Sequence, residues 1–178
     1  DNRDLHSFPT RRSSDLIPYN LLVLAFAGGV WASAGRKRVL RIVAGLLVAH
    51  AVTGFIGGVI FPMHSRGQTG MTFTDTMHIT ATMAEVLSML LFIGFGATVF
   101  GKWFRRYSIG TIVLLILGGV LAGMGGSRLA AGLPTPWMGV TERINIYATM
   151  LWVAALAIAL LRSQSDSPEW VINTGIGH

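Results

Sequence analysis

The chain contains no cysteine. Disulfides, thiolate metal sites and cysteine nucleophiles are therefore excluded, and redox chemistry says nothing about the compartment. Charge is scarce as well. Only 12% of the 178 residues are Asp, Glu, Lys or Arg, against about 25% in soluble domains. Acids are the scarcer sign, with 8 against 14 basic residues, for a net charge of +6. The pI near 10.8 does not indicate nucleic acid, because the basic residues sit in short clusters between apolar runs rather than along one surface. There is no P-loop, no Rossmann glycine pattern and no GxSxG, so nucleotide-binding and serine-hydrolase readings have no support. What the chain has in quantity is hydrocarbon: 52% of residues are apolar and the mean hydropathy is +0.57. An integral membrane protein has this composition.

The N-terminus is set aside first. Residues 3–16 read RDLHSFPTRRSSDL, and their back-translation resembles a common sequencing-library adapter in one frame. Residues 1–16 are thus expected to be a translated adapter without a fold, fused to a truncated gene, and no signal-peptide pattern follows. His6, Arg11, Arg12 and Ser13 then carry no functional weight. The segment holds three Arg and three Asp, so the net charge of the remainder is unchanged.

A spanning helix needs about 20 mostly apolar residues. Five segments qualify, at about 18–34, 39–61, 76–100, 108–130 and 142–161. The expected fold is an all-α polytopic transmembrane bundle over 17–162, followed by a polar tail at 163–178. Arg36, Lys37, Arg38, Arg41, Lys102, Arg105, Arg106 and Arg162 fall on one side of it. Arg66, Arg128 and Arg143 fall on the other. By the positive-inside rule the first side, with the C-terminus, is cytoplasmic. Five spans then leave Ile17 outside. A sixth helix, lost before Ile17, would bring both termini inside.

Gly54 and Gly58, and again Gly119 and Gly123, have GxxxG spacing, which suits close packing between helices of one bundle. Trp31, Trp103, Tyr107, Trp137 and Trp152 lie mostly near span ends, where interfacial anchoring accounts for them.

The polar residues inside the spans require explanation, since ionisable groups there are costly and usually face the bundle interior or a wet cavity. The third span carries Asp75, His78, Thr82 and Glu85 at intervals of three, four and three, hence on one face. Glu85 lies about 15 Å below Asp75, close to mid-membrane. The fifth span carries Glu142, Asn145 and Thr149. The outward loops add His64, Arg66, Arg128 and Arg143. A structural seam explains the rim: Asp75 and Glu142 in first helical turns favour the positive dipole end, with Thr74 and Thr141 as N-caps and Arg143 or Arg128 as ionic partners. Glu85 is harder to explain, because no Lys or Arg lies at its depth.

Three sharper readings compete with the seam. His64, Asp75 and His78 offer two imidazoles and a carboxylate, a donor set that suits catalytic zinc, with Glu85 or Glu142 as base for a metal-bound water. Neither HExxH nor a tight His pair supports it. Haem between His50 and His78 is disfavoured by a depth mismatch of about 10–15 Å, and His50 is expected to pack against a carbonyl or hydroxyl. The third reading is an outward pocket in which Arg66, Arg128 and Arg143 meet an anionic lipid headgroup or small solute.

FPMHSRG (61–67), TDTMH (74–78) and LPTPWMGVTERINI (133–146), with IPYNLLVLAF and FGKWFRRYSI, together resemble the bacterial integral membrane family called Domain of Unknown Function 998. The resemblance covers roughly residues 17–162. It implies a six-helix membrane protein, in line with a lost first span, and no established activity, substrate or cofactor. The residues that match its motifs are His64, Arg66, Asp75, His78, Pro136, Trp137, Glu142 and Arg143. His50 lies outside those motifs.

The expectation is an uncharacterised protein of the bacterial inner membrane with an outward-facing polar pocket for a small or lipidic ligand and no catalysis. The candidate ligand-binding residues are His64, Arg66, Asp75, His78, Glu85, Arg128, Glu142, Arg143 and Asn145. A metal-dependent hydrolase of the outer leaflet, with zinc on His64, Asp75 and His78, is the alternative. The bilayer is the expected partner, and nucleic acid is not.

Overall fold

The computed structural model describes residues 9–63, 72–125, 133, 135 and 137–165. All regular structure among them is helical: α1 (Pro9–Ser33), α2 (Arg38–Phe55) continued by a π-helical turn (Ile56–Ile60), α3 (Phe73–Gly96), α4 (Lys102–Met124) and α5 (Met138–Ser165). Five of these stretches are long and apolar enough to cross a membrane. The fold class and span number read from hydropathy are the observed ones.

The helix ends differ from the hydropathy windows, for a common reason. A helix continues into the headgroup region, where charged turns are welcome and hydropathy fails. Thus α4 starts at Lys102 rather than 108, after the extended Gly101, and takes the basic GKWFRRY stretch into its first two turns. α5 starts at Met138 rather than 142 and runs on to Ser165, into the expected tail. α1 begins at Pro9, so residues 9–16, expected to have no fold, are helical. Once a helix is nucleated, each added residue costs little, and proline suits a first turn. Leu16 also packs where a Cβ on Gly58 would lie, against the π turn.

α1 and α2 join through a tight turn at Gly35, whose φ of +49° lies in the left-handed region that glycine enters without a Cβ penalty. Arg41 Nη2 donates to Gly35 O at 2.7 Å and stacks over Trp31, fixing the turn at the rim. α2 packs along α1 and α3, and α4 along α5. Val23, Ala27 and Val30 of α1, with Ala34 just past its end, recur at helical spacing and meet Leu40, Val43, Ala44 and Leu47 of α2 in the core.

Trp152 joins the two halves. It lies midway along the expected span 142–161 and is fully buried, unlike the aromatics near span ends. Its ring lies 5.5 Å from Phe92 and 5.7 Å from Phe104, its Nε1 donates to Ser108 Oγ at 2.9 Å, and Gly96 leaves room for its far edge. An indole N–H buried in hydrocarbon needs such an acceptor. Trp31, Trp103 and Trp137 are exposed near helix ends, as anchors are.

The two GxxxG pairs also part company. Gly54 and Gly58 pack against neighbouring helices, whereas a Cβ on Gly119 or Gly123 would meet nothing within 4 Å. Only the first pair is a seam within the described residues. At the α1–α5 end, Gln164 Nε2 donates to Ser33 Oγ at 2.8 Å, which brings the two helix termini together.

Candidate functional site

The deepest polar cluster gathers residues from three helices. Asn20 is the twelfth of the 25 residues of α1, and Glu85 the thirteenth of the 24 residues of α3. His50 is the thirteenth of the 23 residues from Arg38 to Ile60. His50 and Glu85 therefore lie near mid-span, about 15–18 Å from the helix ends, and Asn20 is the fifth residue of the apolar stretch Leu16–Ser33.

His50 is the hub. Its Nδ1 lies 3.4 Å from the backbone oxygen of Glu85, and its Nε2 lies 3.4 Å from Tyr19 Oη and 3.9 Å from Glu85 Oε1. Phe92 meets the ring edge-on at 5.6 Å. A carbonyl can only accept, so Nδ1 carries a proton. Nε2 then faces a hydroxyl, which donates or accepts, and a carboxyl oxygen. One proton has two homes: on Glu85 with a neutral imidazole, or on His50 with an ionised carboxylate. Tyr19 can turn its hydroxyl to suit either. This is the packing against a hydroxyl and a carbonyl expected of His50, with a carboxyl group added.

Glu85 is the open member. Its side chain is 30% exposed, against 5% for His50. On its inner side it meets Gly54: a Cβ there would lie 3.0 Å from Glu85 Oε1 and 3.2 Å from Asn20 Oδ1. The missing side chain is what lets the carboxyl and amide groups approach α2. Asn20 is buried and donates through Nδ2 to Leu16 O at 2.9 Å, which leaves its Oδ1 on the Gly54 side.

The first residues of α3 do structural work. Thr72, not Thr74, is the N-cap: Asp75 N donates to its Oγ1 at 3.3 Å, and Asp75 Oδ2 accepts from Thr72 N at 3.0 Å and Thr72 Oγ1 at 2.8 Å. This is a reciprocal capping box. His78 Nδ1 donates to Gly57 O at 2.7 Å and Phe61 O at 3.0 Å, serving carbonyls at the π turn and just past it. Thr82 falls at the edge of the face, exposed, with its hydroxyl on His78 O.

The α5 stripe goes elsewhere. Asn145 abuts Gly118 of α4, and its Oδ1 is buried without a hydrogen-bond partner. Thr149 Oγ1 donates to Asn145 O at 2.9 Å and approaches Met89 Sδ at 2.8 Å. Glu142 and Arg143 are exposed near the start of α5. Glu142 is not in the first turn and Thr141 is not an N-cap, because the helix begins at Met138 and Thr141 Oγ1 donates back to Trp137 O. The face of α3 with Asp75, His78 and Glu85 thus meets α2 and α1, and the α5 stripe meets α4 and Met89. His64, Arg66 and Arg128 lie outside the described residues. Among the described residues, no three His, Cys, Asp or Glu side chains group in a way that could hold a metal ion.

Tyr19 and Asn20 were not singled out in the sequence. Their signal was an amide in an otherwise apolar run, IPYNLLVLAF, since such groups in a span seek partners on other helices. Neither curated proteins nor solved structures yielded a match to the chain. The family described as "Protein of unknown function (DUF998)" matches residues 12–159, beginning inside the adapter-like stretch. The match covers most of a chain whose five span-length helices and polar mid-span cluster are described above, and the chain belongs to the DUF998 family.

Proposed function

We propose that the protein is a non-enzymatic component of a bacterial cytoplasmic membrane that binds a small or lipidic ligand in a polar pocket entered from the outer half of the bilayer. The C-terminus is on the cytoplasmic side in this reading, as the distribution of Lys and Arg requires. The observation that carries it is the half-open carboxyl of Glu85, backed by His50, Tyr19 and Asn20. A carboxyl group that only closed a helix seam would be buried with its partners, because an exposed one faces hydrocarbon at a cost of kilocalories. The ligand class follows from the donors and acceptors. Glu85 Oε1 and Asn20 Oδ1 both offer lone pairs, so the matching group is a hydrogen-bond donor such as an amine or hydroxyl. Catalysis is not part of the reading, since Asp75 and His78 already hold backbone groups.

The test is native mass spectrometry of the protein purified in nanodiscs, wild type against Glu85→Gln and Asn20→Ala. Wild type is expected to retain a donor-bearing lipid or small molecule that both variants lose, with little change in thermal midpoint. Equal retention in Glu85→Gln, or a loss of stability with no change in bound species, would reduce the cluster to a structural seam.

A further inference from the structure

A second candidate site lies on the α4–α5 half of the molecule. Between α4 and α5 runs a groove of about 280 Å³, lined by Tyr107, Gly110, Thr111 and Leu114 on one wall and Ala148 and Leu151 on the other. Gly110 has nothing within 4 Å of where its Cβ would be, so its missing side chain deepens the groove from the lipid side.

The groove runs toward a cationic end. On α4, Arg106 is one turn from Gly110 on the same face, and Lys102 and Arg105 complete the first turns. On α5, Arg162 lies eleven residues beyond Leu151, three helical turns along the same stripe. The helices are antiparallel in a register set by Trp152 on Ser108 and Asn145 on Gly118. That register brings Arg162 level with the start of α4. The guanidinium of Arg106 is 5.6 Å from the ring of Trp103, which is 82% exposed in the position of an interfacial anchor. No Asp or Glu occurs on α4, nor on α5 after Glu142. Four cations therefore share this end of the α4–α5 pair with no carboxylate from either helix.

We infer that the α4–α5 groove is a binding site for one anionic phospholipid of the adjoining leaflet, its phosphate held by Arg106 and Arg162 and one acyl chain laid along Gly110 and Leu114. The cations supply charge-assisted hydrogen bonds to phosphate, as juxtamembrane basic residues do for anionic lipids. The groove supplies dispersion contacts for the chain. A soluble anion would use only the first, and a zwitterionic lipid mainly the second. This site is independent of the Glu85 cluster and does not rest on its reading.

The experiment uses the whole chain in nanodiscs of phosphatidylcholine with a minor fraction of phosphatidylglycerol of matched acyl chains, with bound lipid read by native mass spectrometry. Wild type is expected to retain one phosphatidylglycerol. Arg106→Gln combined with Arg162→Gln, and separately Gly110→Leu, are each expected to lower retention about tenfold, the effect of losing roughly 1.4 kcal/mol. Gly139→Leu, at another open glycine, is expected to change nothing. If Gly110→Leu unsettles the fold, Leu114→Asn keeps the shape, makes the wall polar and reads the same loss. The inference is overturned if the groove variants retain phosphatidylglycerol as wild type does. It is also overturned if phosphatidylcholine is held equally, or if soluble glycerophosphoglycerol displaces the lipid at comparable concentration.

Discussion

At the scale of the residue, His50 and Glu85 depend on each other. Removing His50 leaves Glu85 with Asn20 and Tyr19 but without the group that shares its proton. His50→Ala is expected to lower stability by about 1–3 kcal/mol, the cost of leaving a buried polar group unsatisfied. Tyr19→Phe removes one adjustable hydroxyl and is expected to cost about 0.5–1.5 kcal/mol. Both are read as thermal midpoints in the same detergent, and a neutral His50→Ala would mean that the 3.4 Å contacts carry no weight. The sequence exposed Glu85 as an anomaly because no Lys or Arg shares its depth. It could not reveal the partner, since His50 is 35 residues away and the α2–α3 register is set by packing. Asn20 was hidden for another reason: a single amide does little to the hydropathy of an apolar run, and its role needs the glycine opposite, Gly54.

At the scale of the element, His78 holds the end of α2. Its single Nδ1–H serves the carbonyls of Gly57 and Phe61, either side of the chain's exit from the π turn. His78→Ala is expected to cost about 1–3 kcal/mol and to speed amide exchange over residues 56–61. Unchanged exchange there would remove His78 from this role. In the other half, Gly118 and Asn145 are in close contact, so a methyl group on α4 must displace the amide. Gly118→Ala is expected to destabilise, and adding Asn145→Ala to restore much of the loss, with a coupling of about 0.5–3 kcal/mol. Strict additivity of the two changes would contradict the contact. The period of three and four correctly placed Asp75, His78 and Glu85 on one face of α3. Helix starts were less legible: α4 begins in a basic turn that hydropathy excludes, and the α3 cap is Thr72 because Asp75 sits three residues on and closes the box.

At the scale of the whole molecule, five helices were legible because length and apolar content alone decide what crosses a bilayer. Their pairing was not, because small residues and buried rings choose neighbours without a periodic signature. Trp152 shows this: nothing periodic marks it in the apolar span, yet it serves as the link between α3, α4 and α5. The proposed orientation has its own test, simplified by the absence of cysteine. In intact cells, a membrane-impermeant maleimide is expected to label Leu133→Cys, and to reach Lys37→Cys or Lys102→Cys only after the membrane is opened. The reverse pattern would invert the topology.

If Glu85 opens a polar pocket at mid-membrane, a lipid-soluble carbodiimide reaches it, since such reagents couple to carboxyl groups accessible through the bilayer. Treatment of the membrane-embedded protein followed by peptide mass mapping is expected to give an adduct at Glu85, lost in Glu85→Gln and suppressed in Gly54→Leu, where the new side chain fills the space beside the carboxyl group. An unlabelled Glu85, or labelling that Gly54→Leu leaves unchanged, would contradict the account.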